Sequence, residues 1–270
     1  MKTSQKIILI MLASTIRISH GAIVTPGKNH HRTLFGQLLR QGFFRRTGHQ
    51  TTIPSSLRAA SSSLSYDHDG DTAAGRSTDS SRRRASFTIY YNDVYEVQLP
   101  PKHRFPMSKY RKVRELVQKW IDASPIHKDQ TSGLECEFRV SPLATVPELE
   151  TTHCPSYIHR YLVGNMTKDE QRNVGFPWSK QSVKRCLSSV GGTLAAACTV
   201  LDRTIADESK KTNNNIHWGA HVAAGTHHAF YDRGEGFSVF SDMAVAANAV
   251  LEKYPEHVKR ILLVDLDVHQ

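Results

Sequence analysis

The sequence has little of what ties a chain to itself covalently or to a membrane. Only four cysteines occur in 270 residues, at 136, 154, 186 and 198, with no Cys-x-x-Cys spacing. That argues against a disulfide framework and leaves four reduced thiols as the expectation. His153 stands beside Cys154, but no second close pair supports a zinc or nucleophile assignment there. No apolar run is long enough to cross a bilayer, which takes about 20 residues. No internal repeat is visible. Between Ala22 and Tyr66 there is no acidic residue at all.

That last absence divides the chain. Residues 1–86 carry 13 Lys and Arg against 4 Asp and Glu, and the remainder carries 22 against 21. The net charge of +10 therefore belongs to the leader, and the rest is nearly neutral. A neutral body argues against a nucleic-acid surface built into the fold. Lys2 and Lys6 precede the apolar run Ile7–Ala13, and small residues follow at Ser19-His-Gly21, as in a signal peptide. The Arg- and Ser-rich stretch after it has transit-peptide composition. Together they suit an organelle, a plastid or a mitochondrion, with nucleus or cytoplasm as the alternative. Ser61 to Ser86 lacks apolar periodicity and reads as a disordered linker. His30 and His31 fall in this leader and are poor ligand candidates.

From Phe87 onward the pattern is that of a fold. Phe87-Thr-Ile-Tyr-Tyr91 reads as a strand. Pro100, Pro101 and Pro106 predict a loop, with His103 a structural residue in it. Val113, Leu116, Val117, Trp120 and Ile121 predict a helix from Tyr110 to Asp122. A short strand is expected near Cys136–Val140, and helix from Glu148 to Val163, broken at Pro155. Ser182 to Asp207 carries a long apolar stripe: Val183, Leu187, Val190, Leu194, Cys198, Leu201 and Ile205. Gly191 and Gly192 within it cost about 1 kcal/mol each against Ala, which points to close packing there. His217 and His221 stand at i, i+4, but Gly219 and strand-like neighbours argue against a metal site on a helix. Ser241 is a good N-cap for a helix through Tyr254. Strands alternating with helices make the class α/β.

The last ten residues concentrate the chemistry. Ile261-Leu-Leu-Val runs into Asp265, Asp267 and His269, which predicts a buried parallel strand ending in potential ligands. A carboxylate and an imidazole two residues apart are both zinc donors. Solvated acids at a strand end are the plainer alternative.

Further motifs are collinear with this ending: Leu99–Tyr110, Gly175-Phe-Pro-Trp-Ser179, Val190-Gly-Gly-Thr193, Gly225-Thr-His-His-Ala229, Asp232-Arg-Gly234 and Glu235-Gly-Phe-Ser238. Ser241-Asp242 follows, and Asp265-Leu-Asp-Val-His-Gln270 closes the set. From about residue 87 to 270 the chain resembles the zinc-dependent histone deacetylases, most closely class IV and bacterial deacetylase-like members. The resemblance implies a parallel-sheet sandwich of the arginase/deacetylase type. Its N-terminal part would occupy residues 87–270, incomplete at the C-terminal side.

It also implies Zn²⁺, with a structural K⁺ as a second ion, and hydrolysis of acyl-lysine amides on histones or other proteins. Asp267 and His269 match metal ligands. His228 matches the general acid–base, and His227 an electrostatic partner bonded to the aspartate matched by Asp265. Gly236 and Phe237 match the wall of the acyl-lysine tunnel. Ser238 stands where the family has a cysteine. Family members supply a third zinc aspartate, a Gly-rich turn and a tyrosine after the position of Gln270. The 270 residues alone are thus expected to bind zinc poorly and hydrolyse little, a longer product to do both. The implied partner is an acetylated lysine protein or peptide, with no nucleic acid bound by the fold and no stable membrane insertion. Competing readings are an inactive deacetylase-like binding protein and a deacetylase of small acetylated amines. A two-metal manganese enzyme would want more Asp and His ligands close by.

Overall fold

The β-branched and aromatic run at 87–91 lies at the centre of a sheet, where such side chains pack best. The computed structural model describes residues 6–12, 85–124, 134–210 and 215–267. Strands β1 (Lys6–Leu12) and β5 (Val258–Asp265) form one parallel pair. Strands β2 (Ala85–Tyr91), β3 (Leu134–Val140) and β4 (Ile216–His221) form a second parallel sheet in the order β3-β2-β4. The register runs from Ala85 opposite Leu134 and Ile216 to Tyr90 opposite Arg139 and His221. Thr88 and Ile89 in the middle strand are fully buried.

Parallel strands need crossovers, and helices supply them. α1 (Lys109–Ala123) lies between β2 and β3. α2 (Val146–Glu150), α3 (Pro155–Val163), α4 (Lys168–Val174) and α5 (Lys180–Ser209) lie between β3 and β4. α6 (Asp242–Lys253) joins β4 to β5. Pro155 sits in the first turn of α3, where its missing N–H costs nothing. Thr145 with Glu148, and Thr167 with Glu170, form capping boxes that start α2 and α4. The fold is α/β with parallel sheets. No helix among the described residues is long and apolar enough to cross a membrane.

The long stripe of α5 serves two cores. Val183, Leu187 and Val190 pack with Tyr157, Tyr161, Val239 and Phe240. Leu194, Cys198, Leu201 and Ile205 pack with Ala246, Val250, Tyr254 and Val258. Between them the glycines make the close approach. A Cβ on Gly191 would lie 2.2 Å from the carbonyl oxygen of Pro142, and one on Gly192 2.6 Å from the His221 ring. The four cysteines are free.

Two expectations are corrected. β5 is a parallel strand but not a buried one, with Leu262 and Leu263 at 53% and 40% exposure. Its one strand partner among the described residues is β1. On α1 only Ile121 is buried, while Leu116 and Trp120 are 58% and 56% exposed. Their stripe is helical in period, but it is buried only at Ile121 and half-buried at Val113 and Val117. The apolar run at 7–13 supplies strand β1. The rest of the leader up to residue 84, with His30 and His31, lies outside the described residues, as does His269.

Candidate active site

In parallel α/β folds, functional loops gather beyond the carboxyl ends of the strands. Here the segment after β4 and the end of β5 meet there. A buried carboxylate fixes the start of that segment. Asp242, at the first turn of α6, accepts from the Thr226 amide and hydroxyl, both at 2.8 Å, through Oδ1. Its Oδ2 accepts from the Thr193 hydroxyl at 2.6 Å and the Gly225 amide at 3.3 Å. The far end is held by His153, fully buried. Its Nδ1 donates to the Phe230 carbonyl at 2.8 Å, and its Nε2 accepts from the Ser241 amide at 2.9 Å. Those two bonds require the neutral Nδ1–H tautomer. Burial accordingly pushes the His153 pKa below its ordinary value, against its backbone hydrogen bonds.

The histidine pair lies between these anchors. His227 Nδ1 is 2.6 Å from Asp265 Oδ2, and its Nε2 is 3.0 Å from His228 Nε2. Asp267 Oδ2 lies 3.9 Å from the same His227 Nε2. The chain turns just past β5, where the Asp267 amide donates to Asp265 Oδ1 at 2.9 Å. Asp265 is thus bonded from two sides. Burial raises its pKa, but the bonds from His227 and the Asp267 amide win and hold it below the ordinary carboxylate value. With Asp265 ionised, the Nδ1 of His227 carries a proton and its Nε2 faces His228.

Gly236 and Phe237 wall this pair. Both adopt left-handed backbone angles, φ 56° and 67°. Phenylalanine rarely does so, and here the amides of both residues are pinned, at 3.1 Å and 3.0 Å, to the carbonyls of Asn173 and Val174 at the end of α4. A Cβ on Gly236 would lie 3.0 Å from His228 Cδ2, so glycine is what lets this ring sit against the backbone. Ser238, buried, accepts from the His228 amide at 3.3 Å. Phe237 packs at a tilt against an aromatic group, its centroid 5.1 Å from those of Phe105 and Phe176. His103 joins them, accepting from the Phe105 amide at Nδ1 and donating to the Gly175 carbonyl from Nε2.

The sequence residues His227, His228, Asp265, Asp267, Gly236 and Phe237 therefore converge. Asp242 was noted only as part of a motif and His153 only as a rejected ligand candidate; neither was assigned its anchoring role, although Asp242 in the first turn of α6 was a visible cue. Cys154 stays apart from the pair, its amide donating to the Tyr231 carbonyl.

The histone deacetylase domain family matches residues 103–270. The chain belongs to the histone deacetylase family. An uncharacterized protein of Picosynechococcus is 34% identical over 184 residues, covering 68% of this chain and 53% of that protein. The acetoin utilization protein AcuC of Staphylococcus xylosus is 25% identical, covering 67% and 43%. The chain thus spans about half the length of the curated relatives it matches. An HDAC homolog from Aquifex aeolicus, a solved structure, is 22% identical, covers 63% of this chain and 42% of its own, and gives a TM-score of 0.41.

The family implies a metal, and the donors can be tested on this structure. Among the described residues no group of three His, Cys, Asp or Glu is gathered as a metal site. The Asp267 side chain is only 9% exposed and has its carboxylate 3.9 Å from the His227 imidazole. A largely buried carboxylate with a histidine two residues on is the donor chemistry that zinc takes. The residues fit the ion, with His269 outside the described set.

Proposed function

We propose that this protein is a zinc-dependent amidohydrolase that removes acyl groups from lysine side chains of proteins or peptides. The observation that carries the proposal is the Asp265–His227–His228 chain of contacts with Gly236 set against His228. Asp267 and His269 would hold the ion, whose Lewis acidity serves the amide carbonyl and the attacking water. His228 takes the proton that water loses on adding to the carbonyl, then passes it to the departing lysine nitrogen. The C–N bond breaks, and a carboxylate and a free lysine amine result. Asp265 keeps His227 oriented, and His227 in turn fixes the Nε2 face of His228. Phe237, Phe105 and Phe176 offer aromatic faces to the aliphatic lysine stem.

The test is acetyl-lysine release by the longer product expected above, with zinc, with chelator, and as His228→Ala and Asp267→Asn. Zinc content is measured in parallel. We expect chelator-sensitive release, lost at least 100-fold in His228→Ala, and less bound zinc in Asp267→Asn. Activity indifferent to chelator and to His228 would overturn the proposal. Tight binding of acyl-lysine without hydrolysis would replace it with a binding function. We also propose that the basic leader carries an organelle address. A fluorescent protein joined after residue 86 then leaves the cytosol and avoids the nucleus; a nuclear signal defeats this.

A further inference from the structure

Arg185 is a buried cation with no carboxylate paired to it among the described residues. It lies on α5, is only 8% exposed, and has no ion-pair partner among the described residues. Its guanidinium stacks 4.3 Å from the centroid of Tyr110 and donates to the Ser189 hydroxyl. Asp242, the buried carboxylate that also acts on Tyr110, already has both oxygens occupied by Thr193, Gly225 and Thr226. Lys109 brings a second cation to the same ring, 5.1 Å from its centroid. Buried charges are ordinarily paired, because the desolvation penalty is otherwise several kcal/mol.

Arg185 also lines a cavity of about 30 Å³, with Met107, Tyr110, Phe176, Thr226 and Phe237. One water takes roughly 10–15 Å³ on this measure, so the space suits a carboxylate head and not a whole acyl chain. Thr226 directly precedes His227, and Phe237 directly follows the glycine that abuts His228. Two of the lining residues are thus chain neighbours of the histidine pair and of its glycine.

We propose that Arg185 and Tyr110 form a carboxylate subsite beside the reaction centre, and that it receives the distal carboxylate of a dicarboxylic acyl-lysine such as succinyl-lysine. This rests on the acyl-lysine reading above. The acyl chain extends past the reacting carbonyl toward the cavity, and its far carboxylate meets the planar guanidinium, which binds carboxylates through paired N–H donors. Free acetate or succinate carries the same chemistry from another source, and the experiment separates the two.

Peptides bearing succinyl-lysine, its neutral succinamoyl analogue or acetyl-lysine compete for the zinc-supplemented longer product against a labelled acetyl-lysine peptide, read by anisotropy at short times. We expect the succinyl peptide to bind about tenfold more tightly than the succinamoyl peptide. Arg185→Met should abolish the difference and Arg185→Lys retain part of it, with melting curves to check folding. Equal affinities in the unmodified protein overturn the subsite whether or not the variants fold. Competition by free succinate or acetate as strong as that of the succinyl peptide overturns the acyl-chain assignment. Binding of acetyl-lysine without a succinyl preference sinks this inference alone. Binding of no acyl-lysine peptide sinks the proposed function with it.

Discussion

At the scale of single residues, the site depends on what is missing from Gly236 as much as on what His228 carries. Its left-handed angle strains an alanine by about 1–2 kcal/mol. The added Cβ would sit 3.0 Å from His228, so the ring, not the pinned backbone, must give. Gly236→Ala should therefore lower kcat by about 10–100-fold, since ~1 Å misplacements of catalytic groups carry costs of that order. The melting temperature should fall only a few degrees. Steady-state kinetics beside a thermal melt check this, and an unchanged kcat would show that His228 does not need its present position. His153 makes a different kind of prediction. His153→Phe fills the volume but leaves the Phe230 carbonyl and Ser241 amide without their present partner. Each buried orphan costs about 1–3 kcal/mol, so a loss of about 2–5 kcal/mol in urea unfolding is expected. A loss below 1 kcal/mol would mean that water or a backbone shift replaces both bonds. The histidine pair and the Asp-x-Asp ending were legible because adjacent chemistry stands out in a sequence. His153 and Asp242 were not, because their partners lie 77 and 16 residues away and are backbone groups for the most part.

At the scale of elements, period and punctuation located β2 to β5 and most of the helices, while the run of β1 was read as the core of a signal peptide. α4 escaped because Lys168–Val174 has almost no apolar period, although Thr167 and Glu170 spell a capping box. The long stripe of α5 was readable, but its other buried face was not. Arg185, Ser188, Ser189 and Thr193 are buried polar residues, which apolar periodicity counts as solvent-facing. The burial of β5 was misjudged for a related reason. An apolar run reports what a strand could bury, while its neighbours decide what is buried. The Gly191-Gly192 step was read correctly from its cost. Gly191→Ala should gain about 1 kcal/mol of helix propensity. Against that, its Cβ would meet the Pro142 carbonyl at 2.2 Å and the Ala144 amide at 2.8 Å. Both are backbone atoms, so the β3–α2 connection must move, at a typical overpacking cost of about 1–3 kcal/mol. Net destabilisation in urea is expected. A stabilised Gly191→Ala would show that α5 can slide off the sheet edge without penalty.

At the scale of the whole molecule, the carboxyl end of the sheet is joined by groups that hold together only while uncharged. His221 ends β4, its Nε2 3.0 Å from the Ser141 hydroxyl and its Nδ1 3.2 Å from that of Thr193. It thus ties β4 to the segment after β3 and to α5. Burial, with the nearby Arg185 charge second, lowers its pKa to about 3. An imidazole with a folded pKa below its ordinary value is protonated first in the unfolded chain. Between about pH 6.5 and pH 3 the unfolded state therefore holds more protons, and stability rises with pH. Its contribution is fully present above about pH 6.5 and is lost as pH falls toward 3. At pH 5 the loss is on the order of 2 kcal/mol from this residue, with His153 adding in the same direction. The ion-paired carboxylates Glu137 and Glu170 also have lowered pKa values, each against a burial effect that raises it. Their contribution is lost only as pH falls below the ordinary carboxylate value of 4.5, so above about pH 5 the histidine effect stands nearly alone. Urea midpoints between pH 5 and pH 8 isolate the histidines. His221→Gln can keep bonds to Ser141 and Thr193 yet cannot take up a proton, so its midpoint should vary less with pH than that of the unmodified chain. Parallel midpoints for the two proteins across that range would mean that His221 is protonated as readily in the folded chain as in the unfolded one. The Arg185 charge beside it would then have to be neutralised by an anion in the cavity.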